Sequence, residues 1–270
     1  MCEGLRPAHN PTMPDFSGLR LAKENMFPAL YHAHHAQHPE DLPFWEGLAS
    51  RQEGPLLELG CGTGRVLLRL AQAGFQAWGL DSSAEMLRFL RAQPDAQPGA
   101  AQARVFQADL AAYHLDLRFG LILLPCNTLS TLPPETRRAA FACARRHLRP
   151  DGLFAASLPN PTLLRRLARR SQPEYEESFA HPLDGEPVQV SSGWERSGSE
   201  FTVSWHYDHL LPDGRVERLT AQARHQLTPL TVYRQELLEA GLEVVEQFGD
   251  FDRGPHSASA PHWIFTARPA

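Results

Sequence analysis

From residue 55 onward the chain alternates two textures. Residues 55–59, 76–80, 103–107, 119–124 and 153–158 are short apolar runs with little period, the pattern of strands covered on both faces. Between them lie amphipathic stretches that predict helices over residues 64–73, stopped by Gly74, over 83–92, and over 134–148, ahead of Pro150-Asp151-Gly152. This alternation predicts a parallel sheet with helices on both faces, an α/β doubly wound core. Residues 186–227 differ. There Phe201, Val203, Trp205 and Tyr207 alternate with Thr202, Ser204, His206 and Asp208, between turn signals at Ser197-Gly198 and Pro212-Asp213-Gly214. Strict period two predicts three antiparallel strands inserted into the core. Beyond Pro229, Thr231 is placed to cap a helix ending at Ala240-Gly241, and residues 242–248 and 263–267 supply the last two strands. Before the core, Pro7, Pro11, Pro14 and Gly18 mark a loosely held arm over residues 1–26, followed by a short helical segment through Tyr31 and Trp45. The expected organisation is an N-terminal segment (1–50), a core (51–160 and 228–270) and an inserted helix and sheet (161–227).

Composition narrows the class. A chain of 270 residues with 42% hydrophobic content buries a full core without staples. Cys2, Cys61, Cys126 and Cys143 form no C-x-x-C pair and no zinc framework, so the sequence predicts no metal and suits reduced thiols in a cytoplasm. No apolar run is long enough for a bilayer span, and the start lacks a signal-peptide core. The net charge of -5 argues against nucleic acid as a general partner, since that affinity comes from Lys and Arg neutralising phosphates.

Chemistry concentrates at three strand ends. Glu58-Leu59-Gly60-Cys61-Gly62-Thr63-Gly64-Arg65 is a buried strand entering a glycine-rich turn that opens a helix. Glycine lets the backbone approach a ligand, and the helix start offers free N–H groups. The spacing is G-x-G-x-G, whereas the dinucleotide fingerprint needs a glycine where Arg65 stands. Asp81, followed by Ser82, ends the second strand, where its carboxylate either accepts from a ribose diol or caps the next helix. Asp109-Leu110 follows the third strand.

Taken together these motifs resemble the class I S-adenosylmethionine-dependent methyltransferases. That resemblance implies a seven-strand, mostly parallel sheet with its last strand antiparallel, and S-adenosylmethionine as cofactor. It places Glu58, Gly60, Cys61, Gly62, Gly64 and Arg65 around the methionine end, Asp81 and Ser82 at the ribose, Met86 near the adenine, and Asp109 with Leu110 at the adenine amino group. The run Leu124-Pro125-Cys126-Asn127-Thr128-Leu129 would then face the transferred methyl, with Pro125 beside the cofactor and Asn127 catalytic. It does not match the (Asp/Asn/Ser)-Pro-Pro-aromatic pattern of enzymes that methylate exocyclic base amines. Pro125-Cys126 resembles the nucleophile of cytosine-C5 enzymes, but no Glu-Asn-Val follows the fifth strand, which leaves Cys126 as a small pocket-lining residue.

The better likeness is to small-molecule N-methyltransferases, including glycine N-methyltransferase and amino-sugar dimethyltransferases, over residues 28–267. It implies in-line attack by an acceptor amine, with Tyr31 as a lid residue near the sulfonium; an ordinary amphipathic helix would also bury Tyr31. In these relatives the inserted sheet, here carrying Trp194, Trp205, His206, Tyr207 and Arg224, roofs the acceptor pocket or makes a homodimer contact. Arg165, Arg166, Arg169 and Arg170 are expected on a solvated helix face; as a basic patch they would serve a rival reading, an RNA or protein methyltransferase, and a further rival is a cofactor-binding subunit without activity. His32, His34, His35 and His38 could bind metal or act as a base, yet no acidic or cysteine partner with ligand spacing lies nearby, so a solvated polar face is expected.

Overall fold

The structure is a computed structural model that describes residues 26–93 and 103–270. The N-terminal arm, Cys2 included, therefore lies outside the described residues, apart from Met26. Two helices come first, α1 (Phe27–His35) and α2 (Leu42–Ala49). Next come β1 (Leu56–Leu59), α3 (Arg65–Gln72), β2 (Ala77–Asp81), α4 (Ala84–Ala92), β3 (Ala103–Gln107) and β4 (Phe119–Leu124). The single turn α5 (Thr128–Thr131) leads to α6 (Pro134–His147), β5 (Leu148–Pro159) and the short α7 (Pro161–Leu164). Four strands follow, β6 (Glu174–Ala180), β7 (Pro187–Ser197), β8 (Glu200–Leu210) and β9 (Val216–Gln226), before α8 (Leu230–Glu239), β10 (Leu242–Phe248) and β11 (His262–Pro269).

Seven strands make one sheet in the order β10-β11-β5-β4-β1-β2-β3. Strands β1 to β5 pair in parallel, and β11 runs antiparallel to both β5 and β10. This is the sheet the alternating pattern predicts, antiparallel last strand included. Period two is present inside its apolar runs but hidden, because both faces are buried. Leu57, Leu59, Ile122, Leu124, Phe154 and Ala156 pack on one side with Phe141 of α6 and Leu237 of α8. Leu56, Leu121, Leu123, Leu153 and Ala155 pack on the other with Trp45, Leu67 and Leu90. On the first side Arg137 of α6 donates from Nε and Nη2 to both carboxylate oxygens of Glu236 on α8, at 2.5 and 2.8 Å, with both side chains buried. None of the helices described is long and apolar enough to cross a membrane.

The other four strands form an antiparallel sheet in sequence order, β6-β7-β8-β9. Three strands were expected there. The extra one, β6, is Glu-Tyr-Glu-Glu-Ser-Phe-Ala, an edge strand whose largely exposed residues show no apolar alternation. On β8 the period-two set faces inward: Phe201, Val203 and Trp205 wall a cavity, and Tyr207 packs with Met26, Ala29 and Leu30 on α1. The alternate residues form a polar ladder with β9, His206 to Thr220, Ser204 to Gln222 and Asp208 to Arg218. The sheet leaves and rejoins the core at one neck, where Arg165 donates to the carbonyl of Leu227. Two local expectations are corrected here. Arg165, Arg166, Arg169 and Arg170 do not share a helix face, because α7 ends at Leu164 and Arg165 spends its guanidinium on the neck. Thr231 is not a cap: α8 begins at Leu230 behind Pro229, whose fixed φ already sets the turn.

Candidate active site

The G-x-G-x-G turn lies between β1 and α3, at the carboxyl edge of the sheet. Gly64 is the N-cap of α3 with φ of 88°, and a Cβ there would meet Leu90 at 2.9 Å. Gly62 also has positive φ, 52°, but a Cβ there would meet nothing within 4 Å. Gly64 is thus required by both packing and its positive φ, Gly62 by its turn alone, and the turn presents bare backbone. Asp81 holds it in place. Its Oδ2 accepts the Gly62 N–H at 2.8 Å and its Oδ1 accepts the Ser83 N–H at 2.8 Å. Each carboxylate oxygen keeps a second lone pair for a ligand. Capping of α4 falls instead to Ser83, whose side chain accepts from Met86 N–H.

A cavity of about 490 Å³ opens against this turn, lined by Gly60, Gly62, Asp81, Ser82, Met86, Asp109, Leu110 and Tyr31, among others. Asp109 uses one oxygen, Oδ1, to hold the N–H of Ala111 at 2.8 Å. Behind the turn, Glu58 is 2% exposed and its Oε2 has no hydrogen-bond partner. Burial pushes its carboxyl well above the ordinary range, with the Arg65 guanidinium pulling the other way. A buried carboxylate left half-satisfied is costly unless a cation completes it. These residues fit a nucleoside ligand: a bare turn, a carboxylate at β2 with lone pairs free to accept from a diol, and an acid at β3.

A second cavity of about 610 Å³ adjoins the first. Tyr31, Thr128 and Thr131 line both. Its walls come from α1, from the tip of β4 and from the inner face of β8 and β9, including Phe27, Trp205 and His225. Asn127 and Arg65 lie here, not in the smaller cavity, and Glu58, Cys61, Gly64 and Pro125 line neither. The Arg65 guanidinium is held by Asp41, Nη1 to Oδ1 at 2.6 Å and Nη2 to Oδ2 at 2.7 Å, and donates to Cys126 Sγ at 3.1 Å. Cys126 and Asn127 both have positive φ, 56° and 62°. Paired non-glycine residues in this region store strain of a kind that clusters at functional sites. The Cys126 sulfur opens to the cavity yet sits deep among protein atoms, and that desolvation pushes its thiol up to about 11, away from a thiolate nucleophile.

Sequence reasoning missed His225. Ser130 Oγ donates to the Asn127 carbonyl at 2.7 Å and lies 2.8 Å from His225 Nδ1. With the hydroxyl proton used on the carbonyl, Nδ1–H must be the donor to Oγ, which leaves Nε2 with its lone pair free. Burial pushes the imidazole down to about 4, so it is neutral near pH 7. The signal was unreadable in sequence because β9 places His225 against Ser130 only through the pairing of the inserted sheet. The histidines of α1 also correct an expectation. His34 is 4% exposed, and Glu176 and Glu177 of β6 both approach its Nε2 to 3.4 Å, so the cluster is not a solvated face.

Comparison with known proteins agrees with this geometry. The methyltransferase domain family matches residues 56–152. The protein YqeM of Bacillus subtilis strain 168, assigned as a methyltransferase, is 28% identical over 232 residues, 83% of this chain and 87% of that one. A tRNA N(3)-methylcytidine methyltransferase of Drosophila melanogaster is 27% identical over 187 residues, 66% of this chain and 57% of that one. Among solved structures, the CcbJ methyltransferase of Streptomyces caelestis superposes with TM-score 0.67 at 26% identity, covering 88% of this chain and 96% of that one. The glycopeptide N-methyltransferase MtfA, solved with S-adenosyl-L-homocysteine, gives TM-score 0.59 at 22% identity, over 85% and 87% of the two chains. With a methyltransferase domain over residues 56–152 and this strand order, the chain has the class I methyltransferase fold and is an S-adenosylmethionine-dependent enzyme of methyl transfer.

Proposed function

We propose that this enzyme methylates an amine nitrogen of a small, largely apolar molecule seated in the larger cavity. The observation that carries the reading is the pair of cavities meeting at Tyr31, Thr128 and Thr131, one whose residues fit the cofactor and one with an aromatic and aliphatic wall at Phe27, Phe201, Val203 and Trp205. When bound, S-adenosylmethionine supplies a methyl group already activated on a sulfonium sulfur. The protein's part is then proximity and alignment, which are worth several kcal/mol without a strong acid–base pair. In this reading Gly60, Gly62, Ser82, Asp81, Met86, Asp109 and Leu110 hold the cofactor. Tyr31 and Asn127 border the transfer point. His225 Nε2 accepts a hydrogen bond from the acceptor N–H, which favours the neutral amine and turns its lone pair toward the smaller cavity. The apolar wall of Phe27, Phe201, Val203 and Trp205 excludes water and disfavours a charged ammonium.

The solved relatives named for N-methylation of a glycopeptide and for methylation of an amino pentose support an amine acceptor. A second reading, transfer to tRNA, is favoured by the Drosophila relative and by the exposed Arg166, Arg169 and Arg170. The two separate in one assay. Labelled S-adenosylmethionine is offered with a panel of apolar primary and secondary amines, matched alcohols, and bulk tRNA. Label transfer to amines, dependent on His225, supports the proposal; transfer confined to tRNA or to the alcohols overturns it.

A further inference from the structure

A second constellation lies outside both roles, where the lid helix meets the edge of the inserted sheet. His34 Nε2 and His38 Nε2 each stand 3.4 Å from Glu177 Oε1, and the three ligand atoms all lie within 4.8 Å of one another. Glu177 Oε1 is buried and has no hydrogen bond. Glu176 stands alongside, its Oε2 also 3.4 Å from His34 Nε2 and its Oε1 accepting from Ser192 Oγ. These separations are long for hydrogen bonds. They match the edge of a tetrahedral shell: ligands about 2.0–2.1 Å from a zinc ion lie roughly 3.3 Å apart.

The surroundings of His34 have the same character. Its other ring nitrogen, Nδ1, lies 3.0 Å from Tyr207 Oη on β8. A donor bond from Nδ1–H to that oxygen fixes the tautomer in which Nε2 carries the lone pair, the arrangement found around histidines that ligate metals. Two imidazoles and one carboxylate are donors of the type that take zinc and its first-row neighbours. One of them, His38, also lines the larger cavity.

We propose that His34, His38 and Glu177 form a binding site for one divalent transition-metal ion of the zinc class, which fastens α1 to β6. The ion would lock the helix that carries Tyr31 against the roof of the acceptor cavity, with the remaining coordination positions open to water or Glu176.

The test uses the full-length chain, stripped with a chelator and titrated with zinc chloride by calorimetry near neutral pH. The expected result is one saturable equivalent with micromolar or tighter affinity, and a rise in Tm on adding zinc. Glu177→Gln and His38→Ala should each weaken binding at least tenfold and abolish the Tm rise; Tyr207→Phe should weaken it by about 10- to 100-fold. His38 is 55% exposed and Gln is isosteric with Glu, so both variants should fold, which circular dichroism checks. Cobalt(II) absorption gives a second measurement, with histidine–carboxylate ligand-field bands in the wild type and none in His38→Ala. No saturable zinc, or equal binding in Glu177→Gln and His38→Ala, overturns the proposal. So does loss of the equivalent in His181→Ala, which would assign the ion to the His181, Asp184 and His209 cluster.

Discussion

Asp81 does two things at once, bracing the glycine turn through Gly62 N–H and presenting acceptors to the smaller cavity. Asp81→Asn keeps the shape and removes the charge. Hydrogen bonds to a charged group contribute about 1.5–3 kcal/mol, so affinity for S-adenosylhomocysteine should fall at least tenfold. Calorimetry on the folded variant checks this, and an unchanged Kd would remove Asp81 from the cofactor site. Cys126 is the opposite case. With its thiol pushed up to about 11 it serves as a wall, and Cys126→Ser should keep kcat within about twofold; loss of activity with a trapped covalent adduct in the wild type would contradict this. At this scale the legible residues were those whose meaning is local. Gly60, Gly62 and Gly64 announce a turn by spacing, and Asp81 and Asp109 announce strand ends. His225 and Glu177 announce nothing, because each acquires its partners only when distant strands pair.

Elements were legible in proportion to how strongly burial imposes a period. The core strands and helices carry continuous apolar runs or 3.6-residue patterns, and the structure has them within a few residues of where the pattern puts them. β6 escaped because an edge strand with exposed side chains needs no apolar face, and the start of α8 was misjudged because a proline does the work assigned to Thr231. The junction of α3 and α4 gives a test. A methyl group at Gly64 must fit both a φ of 88° and a 2.9 Å approach to Leu90. Gly64→Ala should therefore cost about 1–3 kcal/mol in stability, the range for one strained backbone position, seen as a lower denaturant midpoint with an unchanged m-value. A midpoint equal to wild type would show that the turn tolerates a side chain.

Across the whole molecule, partly or fully buried histidines couple folding to pH, His32, His35 and His225 most strongly. Burial pushes His32 and His225 down to about 4 and His35 down to about 3, whereas in the unfolded chain each titrates near 6.5. Between those values the unfolded chain binds more protons than the folded one, so stability is complete above pH 6.5 and is lost as pH falls toward 4. Denaturant unfolding at pH 7.5 and pH 5 should show a clear loss at the lower value, and His225→Asn should reduce that loss. A flat profile would mean that these rings are solvated in the native state.

The tied neck at Arg165 and Leu227 also bears on how such a chain diversifies. The inserted strands β6 to β9 join the core through one short stalk, while Asp81 and the glycine turn belong to the core sheet. Mutation can therefore reshape the larger chamber, at Phe201, Val203, Trp205, Ala221 or Ala223, and leave the glycine turn and Asp81 untouched. Divergence in this architecture is modular, and a laboratory library confined to those five positions would explore new acceptors from a constant chemical engine.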